Sequence, residues 1–210
     1  MTFWLFALVE DEVGLRRGVG APLVTLRAGG ARIVAQETEP LAIAKDNLVA
    51  HDRVVRSLAR RGTVLPFRFG TTTPSERALR SLLAPLKPVI ASAFDRVRDA
   101  VQLTLRVRGA ATPAPEQAAD GPGTRWLARR LAAGRVPEIA PVLAATRSFV
   151  RETRAERHDR ESDLATVYQL VARGDLRAWR AAVARAVPEL KDVEITIGGP
   201  WPPYAFAELA

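Results

Sequence analysis

Few residues in this 210-residue chain have the types and spacing that enzyme chemistry requires. Neither of the two histidines, His51 and His158, has a second histidine or a carboxylate pair at metal-ligand spacing. The absence of cysteine excludes disulfides, thiolate metal ligands and cysteine nucleophiles. Gly18 and Gly20 resemble the start of a dinucleotide-binding loop, but no third glycine follows, and a hairpin loop explains them better. The sequence therefore indicates no cofactor and no metal site.

Three consecutive acidic residues, Glu10, Asp11 and Glu12, are the remaining candidates for general acid–base chemistry. They directly follow an apolar run, and the exposed end of a strand explains them without a catalytic role. His51 has apolar neighbours at helical spacing, which predicts a core histidine hydrogen-bonded to the backbone. His158 stands in a run of charged residues and is expected in a solvated cluster. We therefore expect a protein that is not an enzyme.

The composition is that of a globular protein, with 48% hydrophobic and 26% charged residues. The longest unbroken apolar stretch, Phe3 to Val9, is far shorter than the ~20 residues that span a membrane. No basic region precedes this stretch, and acidic residues follow it, so no secretory signal is expected. We expect a cytoplasmic protein without a membrane partner.

The chain is basic, with a net charge of +8, which raises nucleic acid as an alternative partner. However, all but three of the basic residues are arginines, and alanine is abundant, so the excess also fits a coding bias. RNA-recognition sheets stack bases on exposed aromatic residues. The predicted outward positions of the strand over 101–108 carry Gln102, Thr104, Arg106 and Arg108 instead. A basic nucleic-acid-binding module is therefore the second hypothesis, and nucleic acid is not the expected partner.

Several sequence patterns in the first half of the chain predict strands. The run from Phe3 to Val9 predicts a central strand covered on both faces. Residues 22–27 and 32–36 predict a hairpin around Gly29 and Gly30. The alternation over 101–108 predicts a half-buried strand.

Helix signals lie between these strands. Four residues over 46–61 recur at steps of three and four and predict one buried helix face: Leu48, His51, Val55 and Leu58. The residues Thr73 to Glu76 predict a helix start, with a hydroxyl cap, then proline, then a carboxylate reaching back to the cap. A further helix follows Pro88.

The sequence of the second half predicts another sheet with packed helices. Helices are predicted over 124–133, over 137–150 and after Asp175, and strands over 165–171 and 193–197. The segment from Asp159 to Asp163 is predicted as a turn. Because residues 109–123 are rich in proline and glycine, we predict a linker there, between a domain over 1–108 and a domain over 124–210. The class is α+β.

Two segments are unlike ordinary loops. In the first, Gly62 to Gly70, Pro66 predicts an edge or bent strand, and Arg68 between two phenylalanines could be stacked or ion-paired. The second, Gly198 to Phe206, holds three prolines in four positions beside large aromatic residues. It is either a terminal clamp packed over the protein's own core or an exposed aromatic dock.

These segments resemble the GvpF/GvpL family of gas vesicle proteins. The residues Asp46, Asn47, Leu48, Ala50 and His51 are similar to its helix motif. Residues 62–70 resemble its Gly-Thr-Val-Leu-Pro-x-Arg-Phe-Gly segment, and residues 199–204 match its Gly-Pro-Trp-Pro-Pro-Tyr segment. Gly198 and Ala205 depart from the threonine and serine usual there, so no role is assigned to those hydroxyls.

The resemblance implies an N-terminal ferredoxin-like domain followed by a C-terminal α+β domain that is a ferredoxin-like variant. It also implies a non-enzymatic accessory or minor structural protein located at the gas vesicle. Its implied partners are the hydrophobic shell protein and other gas vesicle accessory proteins, and the implied role is to assist vesicle assembly and hence buoyancy. The candidate interaction or motif residues are Asn47, His51, Arg68, Phe69, Pro200, Trp201, Pro202, Pro203, Tyr204 and Phe206.

Overall fold

The computed structural model describes residues 2–12, 14, 18–39, 44–109, 135–160 and 163–209. The chain forms two compact units. Unit 1 consists of Met1–Val101 together with Trp201–Ala210, and unit 2 consists of Gln102–Pro200. Each unit contains one antiparallel sheet with packed helices.

Unit 1 holds a five-stranded sheet of order β2-β3-β1-β4, with β5 also paired to β1. Its strands are β1 (Thr2–Val9), β2 (Leu23–Ala28), β3 (Ala31–Thr38), β4 (Val64–Pro66) and β5 (Thr72–Thr73). Its helices are α1 (Lys45–Ala59), α2 (Glu76–Leu83) and α3 (Lys87–Val97).

The central position of β1 follows from its sequence. Every residue from Trp4 to Val9 is buried, as a strand with both faces covered requires. On one face, Trp4 and Phe6 share a hydrophobic cluster with Val55 and Leu58 of α1. Burial of these large side chains supplies most of the driving force that fixes α1 against the sheet.

The β2–β3 hairpin closes through two glycines with positive φ angles, 59° at Gly29 and 77° at Gly30. Gly29 is required for space as well. A Cβ atom there would lie 2.6 Å from Ile90 Cδ1 and 2.8 Å from the Leu83 carbonyl oxygen. The predicted hairpin is confirmed, and its turn lies close to α2 and α3.

Unit 2 holds a four-stranded sheet of order β7-β8-β6-β9. Its strands are β6 (Ala100–Gly109), which begins in unit 1, β7 (Val150–Arg160), β8 (Asp163–Ala172) and β9 (Val193–Trp201), which ends in unit 1. Its helices are α4 (Ala140–Thr146) and α5 (Leu176–Ala186).

The core of unit 2 surrounds Trp179 of α5, which is fully buried against Leu103, Leu105 and Val107 of β6. Its indole Nε1–H donates to Gln169 Oε1 at 2.7 Å. Gln169 Nε2 donates in turn to Thr146 Oγ1 at 3.1 Å. Burial of polar groups costs little folding free energy when each group has a hydrogen-bond partner, as these groups do.

The two sheets have the same strand order. When the strands are counted along the chain, each sheet places them in the order second, third, first, fourth. In unit 1, α1 connects the third strand to the fourth, and α5 does the same in unit 2. The predicted two-domain α+β fold is confirmed.

Several predicted details differ from the structure in unit 1. Leu48 is half exposed rather than buried, like most residues in the first turn of α1. The cap of α2 is Ser75, whose Oγ accepts from the Ala78 N–H at 3.1 Å. Thr73 is not the cap, since it pairs with Phe3 in β5.

Unit 2 also differs in two places. The predicted turn at 159–163 is wrong at its start, because β7 continues to Arg160. Charged residues occur on both faces of β7, so its sequence has no apolar face that would indicate a strand. The strand lies at the edge of the sheet, where charged side chains oppose unwanted pairing with the edge of another chain. Gln102 and Thr104 are buried, so β6 is not half-buried by simple alternation.

The predicted helix over 124–133 lies outside the described residues, as does nearly all of the predicted linker over 109–123. The division into domains over 1–108 and 124–210 stays a prediction. In the structure, Trp201–Ala210 packs with unit 1.

Candidate functional site

The candidate site begins on α1, whose buried face carries His51 toward the aromatic residues of unit 1. The His51 ring stacks on Phe6, with centroids 5.0 Å apart and an angle of 25° between the ring planes. Phe69 meets the same ring edge-on at 5.6 Å. Trp4 Nε1–H donates to His51 Nδ1 at 3.0 Å. His51 is thus a packing and hydrogen-bonding centre.

The protonation state of His51 follows from these contacts. Nδ1 accepts a hydrogen bond and therefore carries no proton. Burial lowers the pKa of His51, and the backbone of Phe67 and the charge of Asp52 only partly oppose this effect. A neutral ring results at neutral pH. The predicted burial of His51 is confirmed, and the ring interacts both with the Trp4 indole and with the backbone of Phe67.

The segment over 62–70 places Phe69 in this cluster. Val64 and Pro66 of β4 pair with Val9 and Ala7 of β1 at the sheet edge, which confirms the predicted edge strand. The chain then leaves the ladder, and the Phe69 ring packs edge-on against Trp4 at 5.0 Å. Arg68 turns outward, with its side chain 89% exposed and its Nη2 3.4 Å from Glu208 Oε1.

Residues 201–207, which we call the terminal strap, pack on unit 1. Pro202, Pro203 and Phe206 are buried, and Phe206 has no exposed surface. Tyr204 packs against the cluster formed by Trp4, Phe6 and their neighbours. The sequence analysis left two interpretations of this segment. Packing over the protein's own core, and not an exposed aromatic dock, describes these residues.

Two residues of α1, which we call the α1 clamp, hold the strap by its aromatic side chains. Asp52 and Arg56 are one helical turn apart, and Arg56 Nε donates to Asp52 Oδ2 at 2.5 Å. The other carboxylate oxygen, Oδ1, accepts from the Tyr204 hydroxyl at 3.2 Å. The Arg56 guanidinium carbon lies 4.0 Å from the centre of the Trp201 ring, in cation–π geometry.

The environment of Tyr204 keeps its hydroxyl protonated. Burial raises the pKa of Tyr204, and the negative charge of Asp52 raises it further, while Arg56 acts in the opposite direction. The hydroxyl is therefore a hydrogen-bond donor throughout the physiological pH range. A donor is what the carboxylate of Asp52 needs at this position.

The structure brings together only some of the predicted site residues. His51, Phe69 and Tyr204 belong to one cluster, and Trp201 lies beside it on the α1 clamp. Asn47 is half-buried in the first turn of α1, and Pro200 is exposed in unit 2. Sequence reasoning missed Asp52 and Arg56, although acid and base four residues apart on a helix were a usable signal.

The site offers packing, hydrogen bonding and charge. Within the described part of the chain, no group of three or more histidine and acidic residues is arranged to hold a metal ion. Nor does any helix of that part have the length and apolar character needed to cross a bilayer. The arrangement is suited to holding a peptide segment by its aromatic rings.

Comparisons with known proteins give one consistent family. The family model described as "Gas vesicle synthesis protein GvpL/GvpF" matches residues 2–208. The crystal structure of gas vesicle protein GvpF from Microcystis aeruginosa is similar at 13% identity and a TM-score of 0.77, over 99% of each chain. That of GvpF from Anabaena sp. is similar at 15% identity and a TM-score of 0.78, over 100% of this chain and 97% of the other. Among curated proteins there is no match.

Proposed function

This chain belongs to the GvpL/GvpF family of gas vesicle proteins, and we propose that it is a non-catalytic accessory or minor structural subunit that binds the hydrophobic shell protein or another accessory subunit during vesicle assembly. The family match over residues 2–208 carries the proposal. A shell subunit apolar enough to face gas needs a partner that covers it before incorporation. Gas vesicles in the cytoplasm are the proposed location.

An exposed apolar patch supports the proposal. Leu48 and Val49 are 50% and 48% exposed in the first turns of α1, within the segment that resembles the family's helix motif. Neighbouring exposed aliphatic side chains are a usual component of protein–protein contacts. We propose that this pair, which we call the α1 patch, contributes to contact with the shell protein.

The pairing of arginines argues for a protein partner over nucleic acid. Arg56, Arg80 and Arg98 of unit 1 each lie in an ion pair with an acidic residue. Guanidinium groups that are already paired contribute less to phosphate binding. These three guanidinium groups are therefore less available to RNA or DNA than unpaired ones would be.

The test replaces the α1 patch with charge. In the double variant Leu48→Glu/Val49→Glu, retention of shell protein in a pull-down should fall about tenfold, which corresponds to ~1.4 kcal/mol of binding free energy. Vesicle yield in cells should fall with it. Leu82→Glu is the matched control, because Leu82 is 66% exposed on α2 and lies outside the patch.

Thermal melts of all variants show whether folding is retained. Normal retention of shell protein by a folded patch variant, with normal vesicle yield, would remove the patch from the proposal. Salt-sensitive retention of the wild type on RNA at physiological ionic strength would instead favour the nucleic-acid hypothesis.

A further inference from the structure

Strand β7 lies at the edge of the unit 2 sheet and has a regular central part. Among the strands that the structure describes, its one neighbour in the sheet is β8. The register between β7 and β8 is continuous from Glu152 to Arg157 and shifts on either side of this run. The outer side of an edge strand presents N–H and C=O groups to which a further strand can pair. The run over 152–157 therefore has the backbone geometry to accept one added strand.

The side chains on one face of this run alternate in charge. Glu152, Arg154 and Glu156 occupy every second position, and successive side chains of a strand point to opposite faces. Arg154 Nε donates to Glu152 Oε1 at 2.9 Å. Glu156 accepts from the hydroxyl of Tyr168, which is the residue of β8 opposite Arg154, at 3.2 Å. The opposite face carries Ala155, which packs against the core of unit 2.

We propose that β7 pairs with β7 of a second copy of this chain, antiparallel and centred on Ala155, so that two four-stranded sheets join into one. In this register Arg154 lies opposite Glu156 of the second copy, and Glu156 lies opposite Arg154 of the second copy. Opposite charges at directly opposed positions stabilise an antiparallel pair, and like charges destabilise it. The proposal is independent of shell-protein binding and does not use the α1 patch.

The order of the charges identifies a second copy as the occupant. A two-fold symmetric interface requires a surface that is complementary to itself, and β7 has this property about Ala155. An axis moved by one residue places either Arg154 opposite Arg154 or Glu156 opposite Glu156, so the two adjacent registers are disfavoured. A strand of another sequence meets the same charges without matching them, and charged edges oppose pairing of that kind.

The face that carries Ala155 is also compatible with this register. Ala155 lies opposite Ala155 of the second copy, and a methyl group is not crowded at the ~4.5–5.5 Å that separates opposed Cβ atoms. Arg157 is held by its own chain, since its Nη1 and Nη2 donate to the carboxylate of Glu138 at 3.0 and 2.9 Å. It lies opposite Thr153 of the second copy, which carries no charge. No like charges are therefore opposed over Thr153–Arg157.

Charge reversal in the full-length chain tests the pairing. Arg154→Glu and Glu156→Arg each place like charges opposite each other in a pair of identical chains, so self-association in sedimentation equilibrium should weaken about tenfold or more. A mixture of the two variants again opposes acid to base at both positions. The double variant Arg154→Glu/Glu156→Arg does so with itself. The mixture and the double variant should therefore recover the association of the wild type.

Arg80→Glu is the matched control for charge. Arg80 also forms an exposed ion pair within its own element, with Glu76 of α2, and it lies outside β7. This variant should associate as the wild type does, and thermal melts show that each variant is folded. Folded single variants that associate as tightly as the wild type would overturn the proposal, as would single variants that stay dissociated when they are mixed.

Wild-type protein gives a measurement that needs no variant to fold. Its average mass should rise from 22.9 kDa toward twice that value as the concentration increases. In hydrogen exchange, the amides over 152–157 that point away from β8, at alternate positions, should gain protection as the mass rises. A mass that stays constant up to about 1 mM, or a rising mass without added protection in β7, would overturn the proposal.

Discussion

At the scale of single residues, unit 1 depends on a buried histidine that must stay neutral. His51 is 2% exposed, and its Nε2 makes no hydrogen bond of good geometry among the described residues. A positive charge placed there would lie among Trp4, Phe6 and Phe69, with Asp52 as the acidic group beside it. Protonation of His51 therefore favours the unfolded chain.

The first prediction concerns pH. Because the pKa of His51 is lower in the folded than in the unfolded chain, its contribution to stability is complete above the unfolded value of about 6.5 and is lost as pH falls below it. The melting temperature of the wild type should decrease between about pH 7 and pH 5. The decrease should be smaller in His51→Gln, whose side chain can still accept from Trp4. An equally steep decrease in His51→Gln would contradict this role of His51.

The second prediction compares the two tyrosines. Tyr204→Phe removes the hydroxyl that donates to Asp52 and leaves a partly buried carboxylate oxygen unpaired, so we expect a loss of about 1.5–3 kcal/mol in unfolding free energy. Tyr168→Phe is the matched change, since its hydroxyl donates to Glu156 at the surface. Its effect should be within about 0.5 kcal/mol. Urea unfolding measures both, and equal effects would contradict the role given to Asp52.

At the scale of elements, periodicity predicted the segments that have an apolar face, while tertiary contacts decided their limits. The apolar runs and turn glycines of unit 1 predicted β1 and the β2–β3 hairpin. The charged segment now seen as β7 lacked an apolar face, because an edge strand packs less of its surface. The start of α2 was displaced by the pairing of Thr73 with Phe3, a contact 70 residues distant in sequence.

The third prediction tests the start of α2. Ser75→Ala should cost about 1 kcal/mol of unfolding free energy, because the Ala78 N–H loses its acceptor. Ser81→Ala is the control within the same helix, since Ser81 is exposed in its interior and alanine is the better helix former. It should leave stability unchanged or raise it slightly. Denaturant unfolding of both variants decides the matter, and a neutral Ser75→Ala would exclude Ser75 as the cap.

The candidate site was predictable from sequence only in part. The aromatic and proline-rich segments were visible as unusual composition, and His51 as a buried member of a helix. Their meeting point was not visible, since Asp52 and Tyr204 are 152 positions apart. Local patterns carry no information on a contact of that separation, and only the packing of the strap on α1 shows it.

At the scale of the whole molecule, unit 1 is built from two parts of the chain that are far apart in sequence. A domain ending at residue 210 was predicted from the proline-rich and glycine-rich stretch alone. The structure assigns Trp201–Ala210 to unit 1, together with Met1–Val101. We therefore expect the strap and the rest of unit 1 to unfold together, with the same free energy of local unfolding.

The last prediction follows from this coupling. Phe206→Ala empties a fully buried position in unit 1 and should cost about 3–5 kcal/mol. Hydrogen exchange should locate the loss in α1 and β1, while amides of β8 and α5 in unit 2 keep their protection. Trp179→Ala is the reciprocal change, because Trp179 is fully buried in unit 2, and it should release β8 and α5 first. Uniform loss of protection in both units after Phe206→Ala would mean that the molecule unfolds as one cooperative block, and that the strap stabilises all of it equally.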